Sequence, residues 1–173
     1  MFTAYFDASG NEEDQPCLAV AGFLAGADAW SSFEQEWLER LAKDGLRNFH
    51  RRELAMWEKS KRDRLLNDLI DIIIGNVGRK FGAVIDHESL SVLSPEERTE
   101  LHLRSYSLAA RTCISKVRLW SKSERLRLVP DIVLEDGDAG KGKSIDMLTE
   151  QRVPLPTFKP SRDRIEDGFL IKG

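Results

Sequence analysis

Tyr5-Phe6-Asp7-Ala8-Ser9-Gly10 closes a short apolar and aromatic run that starts at Met1. The run reads as a buried strand, because a handful of aromatic and apolar residues bounded by turn formers suits a pleated, covered surface. It delivers one carboxylate, Asp7, where the strand-like pattern stops, and Ser9-Gly10-Asn11 then supply turn chemistry. A second apolar run follows from Cys17 to Leu24 across the polar connection Asn11 to Pro16, which is too short to hold a helix. The pair is therefore expected to form an antiparallel hairpin. An acid at the end of a central strand is aimed by the sheet beneath it, which suits a metal ligand. A lone Asp in such a place also serves simply to cap a turn, so the case depends on whether later strands end the same way.

The composition sets the outer limits. A chain of 173 residues fits one domain with a sizeable core, expected here over 1–173. The formal charge is −3 while 32% of residues are charged, so nucleic-acid contact would have to come from local basic patches. Cys17 and Cys113 lack metal-like spacing and sit in apolar surroundings, as expected of reduced core thiols. With no basic leader and no long apolar segment, a cytoplasmic protein without a membrane partner is expected.

Beyond the hairpin the pattern alternates between helix and strand. Ala29 to Ala42 reads as a helix with Trp30, Phe33, Trp37, Leu38 and Leu41 on one stripe, a capping box at Ser31 and Glu34, and a stop at Gly45. In Asn48-Phe49-His50-Arg51-Arg52-Glu53, His50 and Glu53 would share a face if the segment were helical; otherwise it is a charged connection around a buried Phe49. The basic run that includes Arg51, Arg52, Lys59, Lys61, Arg62 and Arg64 can meet phosphates or form a solvated face. Ser60 and Asp63 open a helix to about Ile74 that buries Leu65, Leu66, Leu69, Ile70, Ile72 and Ile73. Lys80 to Asp86 is a strand. Ser94-Pro95-Glu96-Glu97 is a strong helix start, for a helix running to about Lys122.

A further strand, Asp131 to Leu134, ends on Glu135 and Asp136, so three strand ends carry acids: Asp7, Asp86 and Glu135. Parallel strands would bring such ends to one edge of a sheet, where α/β proteins bind ligands. Carboxylates gathered there repel one another unless a divalent cation lies between them, and an all-oxygen donor set points to magnesium or manganese. Two such ions could support phosphodiester hydrolysis. Gly137 to Ser144 also matches the phosphate-binding pattern GxxxxGK[ST], with Lys143 placed to reach phosphates. A nucleotide-binding sheet needs further strands after that loop, and only a proline-interrupted stretch, Val153 to Pro160, and a short tail follow.

Taken in order, Tyr5-Phe6-Asp7-Ala8-Ser9-Gly10, Val20-Ala21-Gly22-Phe23, Phe49-His50 and Leu134-Glu135-Asp136-Gly137 resemble the bacterial and phage family called "domain of unknown function 3800", DUF3800. The resemblance spans nearly the whole chain. It implies a ribonuclease H-like α/β fold, a mixed sheet with an opening β-hairpin and flanking helices, and a metal-dependent nuclease activity. Carried over by motif, Asp7 matches the first acid, Glu135 the acid after the later strand, and His50 the FH motif; Asp86 and Asp138 are secondary matches. Ala8 stands where the family has Glu or Asp. The family's closing helix with Leu-Gln-x-Ala-Asp is absent, so a domain lacking its C-terminal helix is expected.

The resulting expectation is a magnesium- or manganese-dependent nuclease acting on DNA or RNA. Asp7, Glu135 and His50 are its catalytic residues, and Asp7, Glu135, Asp86 and Asp138 its metal ligands. Lys141, Lys143, Arg51 and Arg52 meet substrate phosphates. Two other readings stay open: a catalytically inactive module of the same fold that binds nucleic acid or protein, and a nucleotide-binding protein using Gly137 to Ser144.

Overall fold

A computed structural model describes residues 1–9, 15–100, 105–136 and 156–160; the side chains of 51–53, 100, 135, 136 and 158–160 lie outside that description. The elements are β1 (Phe2–Ser9), β2 (Cys17–Gly26), α1 (Ala27–Ala42), a 3-10 turn (Arg51–Met56), α2 (Lys59–Asn76), β3 (Arg79–Asp86), α3 (His87–Ser91), α4 (Pro95–Glu100), α5 (Ser105–Ser123), β4 (Asp131–Asp136) and β5 (Thr157–Pro160). The chain divides into two compact units, Met1–Leu24 with Lys80–Gly173, and Ala25–Arg79.

The first unit is a mixed α/β sheet with a helical layer. Among the described residues its five strands lie in the order β3-β2-β1-β4-β5. β1 runs parallel to β4, with Thr3 opposite Asp131 and Phe6 opposite Leu134. β4 in turn runs parallel to β5, with Val133 opposite Thr157 and Asp136 opposite Pro160. Contacts on the other side of β1 show the hairpin: Gly22 lies against Tyr5 and Phe6, only a short connection from β1. His87 N–H donates to Pro16 O at 3.0 Å while Gly82 lies against Val20 O, so β3 runs antiparallel to β2 and parallel to β1.

Alternation along the strands decides which face is sealed. Ala4 and Phe6 of β1, Leu18, Val20 and Leu24 of β2, Ala83 of β3, and Ile132 and Leu134 of β4 form one core with Tyr106, Ala109, Ala110, Cys113, Ile114 and Val117 of α5. Each fully buried Leu, Ile or Val there contributes about 1.5–3 kcal/mol, so this face holds the sheet together. The intervening positions of β1, Tyr5 and Asp7, are exposed. Gly22 serves the same packing: a Cβ there would collide with the Phe6 ring and the Tyr5 carbonyl oxygen. Only glycine lets Phe6 lie across β2.

In the second unit α1 and α2 bury Leu41, Leu54, Leu65 and Leu69, with Trp37, Phe49 and Trp57 packed around them. Trp30, Phe33, Trp37 and Phe49 stack in sequence at ring separations of 5.2–5.9 Å. The expected stripes are too wide: Leu38 is 51% exposed and Ile70 49%. Leu41 of α1, Leu65 and Leu69 of α2 and Leu54 of the 3-10 turn form the buried centre, with Trp37, Leu66 and Ile72 partly buried around them. The Ser31–Glu34 capping box is not used either, because β2 passes directly into α1 through an extended Gly26 and Ser31 falls inside the helix. Gly45 does end α1 as expected, at φ 72°, with Leu46 N–H donating to Leu41 O.

The expected helix from Ser94 to about Lys122 is described as α4 and α5, and 101–104 lie outside the described residues. Its start matches expectation: Ser94 N–H donates to Glu97 Oε2 at 2.7 Å and Glu97 N–H to Ser94 Oγ at 3.1 Å, a reciprocal capping box. Cys17 and Cys113 are both free thiols, the first half-buried and the second buried.

Candidate functional site

Two of the four sequence-predicted acids, Asp7 and Glu135, occupy neighbouring positions at the C-terminal ends of β1 and β4. Asp7 lies inside β1, which continues to Ser9, so the pleat fixes its phase. The paired register ends with Phe6 opposite Leu134, and the next step along both strands sets Asp7 beside Glu135. Neighbouring strands are about 4.8 Å apart, and in-register positions of parallel strands share a face. Positions 7 and 135 therefore fall on the face opposite α5, in the same phase as the exposed Tyr5. The side chain of Glu135 lies outside the described residues. Asp7 is exposed and accepts from the N–H of Ala8 at 2.7 Å.

Asp86 ends β3 at the same edge but is given another task. Its carboxylate accepts from Glu88 N–H at 3.2 Å, Ser89 N–H at 3.3 Å and Ser89 Oγ at 2.7 Å, the N-cap pattern for α3. The Ser89 hydroxyl first, and then the Glu88 amide, hold its pKa below the ordinary carboxylate value. β2 also separates β3 from β1, which puts the two strands about 10 Å apart.

His50 lies in the second unit. It is extended, at φ −126° and ψ 116°, and precedes the 3-10 turn, so it does not share a helical face with Glu53. The side chains of Arg51 and Arg52 lie outside the described residues, as do Asp138, Lys141, Lys143 and the whole loop 137–144. Part of the basic run is engaged within the unit. Lys61 pairs with Asp44 at 3.3 Å and sits 4.0 Å above the Trp57 ring, and Arg62 lies 3.7 Å from Asp63. Arg40 bridges Asp44 at 2.8 Å and Asp68 at 2.7 Å. The hydrogen bond from Arg40, outweighing burial, holds the Asp44 carboxyl below its ordinary value.

Among the described residues, which do not include the side chains of Glu135 and Asp136, no group of three His, Cys, Asp or Glu side chains gathers to hold a metal ion. The donor set at positions 7 and 135 nonetheless suits a hard divalent cation, since magnesium is commonly held by one or two carboxylates, with water and substrate phosphate completing its shell. No helix among the described residues is long and apolar enough to cross a membrane.

Two features of this edge were not read from the sequence. One is Gly22, whose missing side chain lets the residue before Asp7 pack; its place in the Val20-Ala21-Gly22-Phe23 motif was the available signal. The other is Lys159 of β5, which pairs in register with Glu135.

No protein-family model matches this chain, and no curated protein matches it. Among solved structures the chain is similar to the crystal structure of ribonuclease H2 from Pyrococcus horikoshii OT3, at 19% identity and a TM-score of 0.41. The likeness covers 93% of this chain and 62% of that one, so this chain spans less than two thirds of the length of that relative.

Proposed function

We propose that this protein is a metal-dependent nuclease of the DUF3800 type, hydrolysing phosphodiester bonds of nucleic acid with Asp7 and Glu135 as its principal metal ligands. The observation that supports the reading is the register of β1 and β4, whose next step makes positions 7 and 135 neighbours although they are remote in the sequence. When bound, a magnesium or manganese ion supplies charge neutralisation at the phosphodiester and lowers the pKa of a water. The rest is done by the chain. The α5 side of the sheet fixes the two strands, and their pleat puts positions 7 and 135 in the phase opposite to the buried Phe6 and Leu134. The exposure of Asp7 leaves a carboxylate within reach of a polyanionic substrate.

Asp86 is left out of this ligand set because its carboxylate already accepts three hydrogen bonds. Asp138 as an auxiliary ligand, His50 as a water-orienting group, and Lys141, Lys143, Arg51 and Arg52 as phosphate contacts rest on motif and charge alone. The test is cleavage of single-stranded and duplex DNA and RNA by the full chain, with magnesium, with manganese and with chelator. Metal-stimulated cleavage that Asp7→Asn abolishes while melting is unchanged supports the reading. Equal cleavage by the variant, or none by the native chain with either metal, removes it.

A further inference from the structure

The row of positions that carries Asp7 and Glu135 has a third member. Glu135 is opposite Lys159 on β5, so the C-terminal edge of three adjacent parallel strands reads acid, acid, base across the sheet. The row one residue earlier is Phe6, Leu134 and Phe158, all apolar, and Phe6 and Leu134 are buried beneath α5. The row before that, Tyr5, Val133 and Thr157, shares the phase of the charged row. Thus the alternation of all three strands sets position 159 on the same face as positions 7 and 135.

Charge explains why a base there matters. Two carboxylates balance the formal charge of one divalent cation, so a phosphodiester joining that shell adds one uncompensated negative charge. An ammonium in the next strand restores a single positive charge, which matches the single negative charge of the group to be bound. Lysine suits the place because its point charge sits on a flexible stem and tolerates varied phosphate geometry. A lysine on an edge strand can also serve only to discourage another strand from pairing. Its register with position 135, at the C-terminal ends of three parallel strands, favours the first role, and the salt slope below separates the two.

We propose that Lys159 is the phosphate-binding cation of this site, set there by its register with Glu135; this rests on the nuclease reading above. The test uses the full chain with calcium, to limit cleavage, and a short fluorescent oligonucleotide. Lys159→Gln weakens binding about tenfold, as expected for one charged hydrogen bond, and lowers the slope of log affinity against log salt by about one. The same variant binds manganese about threefold more tightly, because a like charge has been removed from beside the ligands. Lys159→Arg keeps the native salt slope, and native-like melting of both variants confirms that β5 is intact.

Asp7→Asn distinguishes the two levels of failure. If it loses manganese binding while Lys159→Gln keeps native manganese affinity and salt slope, the lysine assignment alone is overturned. If Asp7→Asn binds manganese as the native chain does, the site itself is overturned and the lysine assignment with it. If Lys159→Gln aggregates but its soluble fraction keeps the native salt slope, the residue is an edge guard, and the assignment is again overturned.

Discussion

Asp7 and Asp86 look alike in sequence, each an acid at the end of an apolar strand, and the molecule treats them differently. After Asp86 the chain turns at once into α3, and the carboxylate is consumed by the amides and hydroxyl of that first turn. β1, by contrast, continues two residues past Asp7, so the strand pleat sets the phase of that position, and its carboxylate accepts from the N–H of Ala8. The neighbours differ as well. β3 is the outer strand of the sheet, whereas β1 is flanked by β2 and β4 and meets a second acid position in parallel register. An acid at a strand end is thus only half a signal; what the chain does next, and which strand lies beside it, settles its work.

The sharpest way to break this comparison is to neutralise each acid in turn. Asp7→Asn is expected to reduce metal-stimulated cleavage by about a thousandfold, roughly 4 kcal/mol of barrier, with the melting temperature unchanged. Asp86→Asn should leave the cleavage rate within about twofold, since asparagine still caps a helix. The reverse pattern in single-turnover assays would mean that the two acids have been assigned the wrong way round. Next in size is Gly22→Ala, which places a methyl against the Phe6 ring and Tyr5 carbonyl. A cost of about 1–3 kcal/mol in urea unfolding is expected. A variant as stable as the native chain would show that Phe6, and with it the phase of Asp7, is not held by β2.

Acid titration sharpens the comparison at smaller scale. The folded-state pKa of Asp86 is depressed by its cap hydrogen bonds. Its contribution is therefore complete above the ordinary carboxylate range, about pH 4, and fades as pH falls through the lowered value. Asp44, beside Arg40, behaves in the same direction. Urea midpoints measured from about pH 6 down to pH 2.5 should fall less steeply for Asp86→Asn than for the native chain. Identical slopes would mean that the cap does not bias its protonation. The smallest effect concerns the thiols. Burial pushes Cys113 up to about 11, and its Sγ donates to Val20 O at 3.4 Å. Mild alkylation near pH 8 should modify the half-buried Cys17 and spare Cys113 until the sheet unfolds, which peptide mass mapping can follow.

Much of the local structure was legible in the chain. The capping box at Ser94 and Glu97 and the stop at Gly45 were readable because each is decided by residues within one turn. The positions of β1, β2, β3 and β4 followed from apolar runs between turn formers, but β1, β2 and β4 each run two residues past the expected end. The helix stripes were less well read. Leu38 and Ile70 fit the apolar period as well as Leu41 and Leu69, and only the partner helix decides which of them is covered. At the site, Asp7 and Glu135 were legible as acids at strand ends, but so was Asp86, and nothing in the pattern separated them. Lys159 carried no signal, because an extended stretch between prolines reads as a connection until a neighbouring strand gives it a register.

The amino-acid sequence by itself determined the α/β character, the approximate places of most elements and the set of acids from which a site could be built. Tertiary structure decided that β4 lies beside β1, that β5 lies beside β4, and that the register sets Asp7, Glu135 and Lys159 in one row. The physical reason is that pleat and turn chemistry act over a few neighbouring residues. Strand partners and their register are selected instead by the shared fit of many distant side chains, here those packed against α5, and a slip of one residue would turn every one of them to the wrong face.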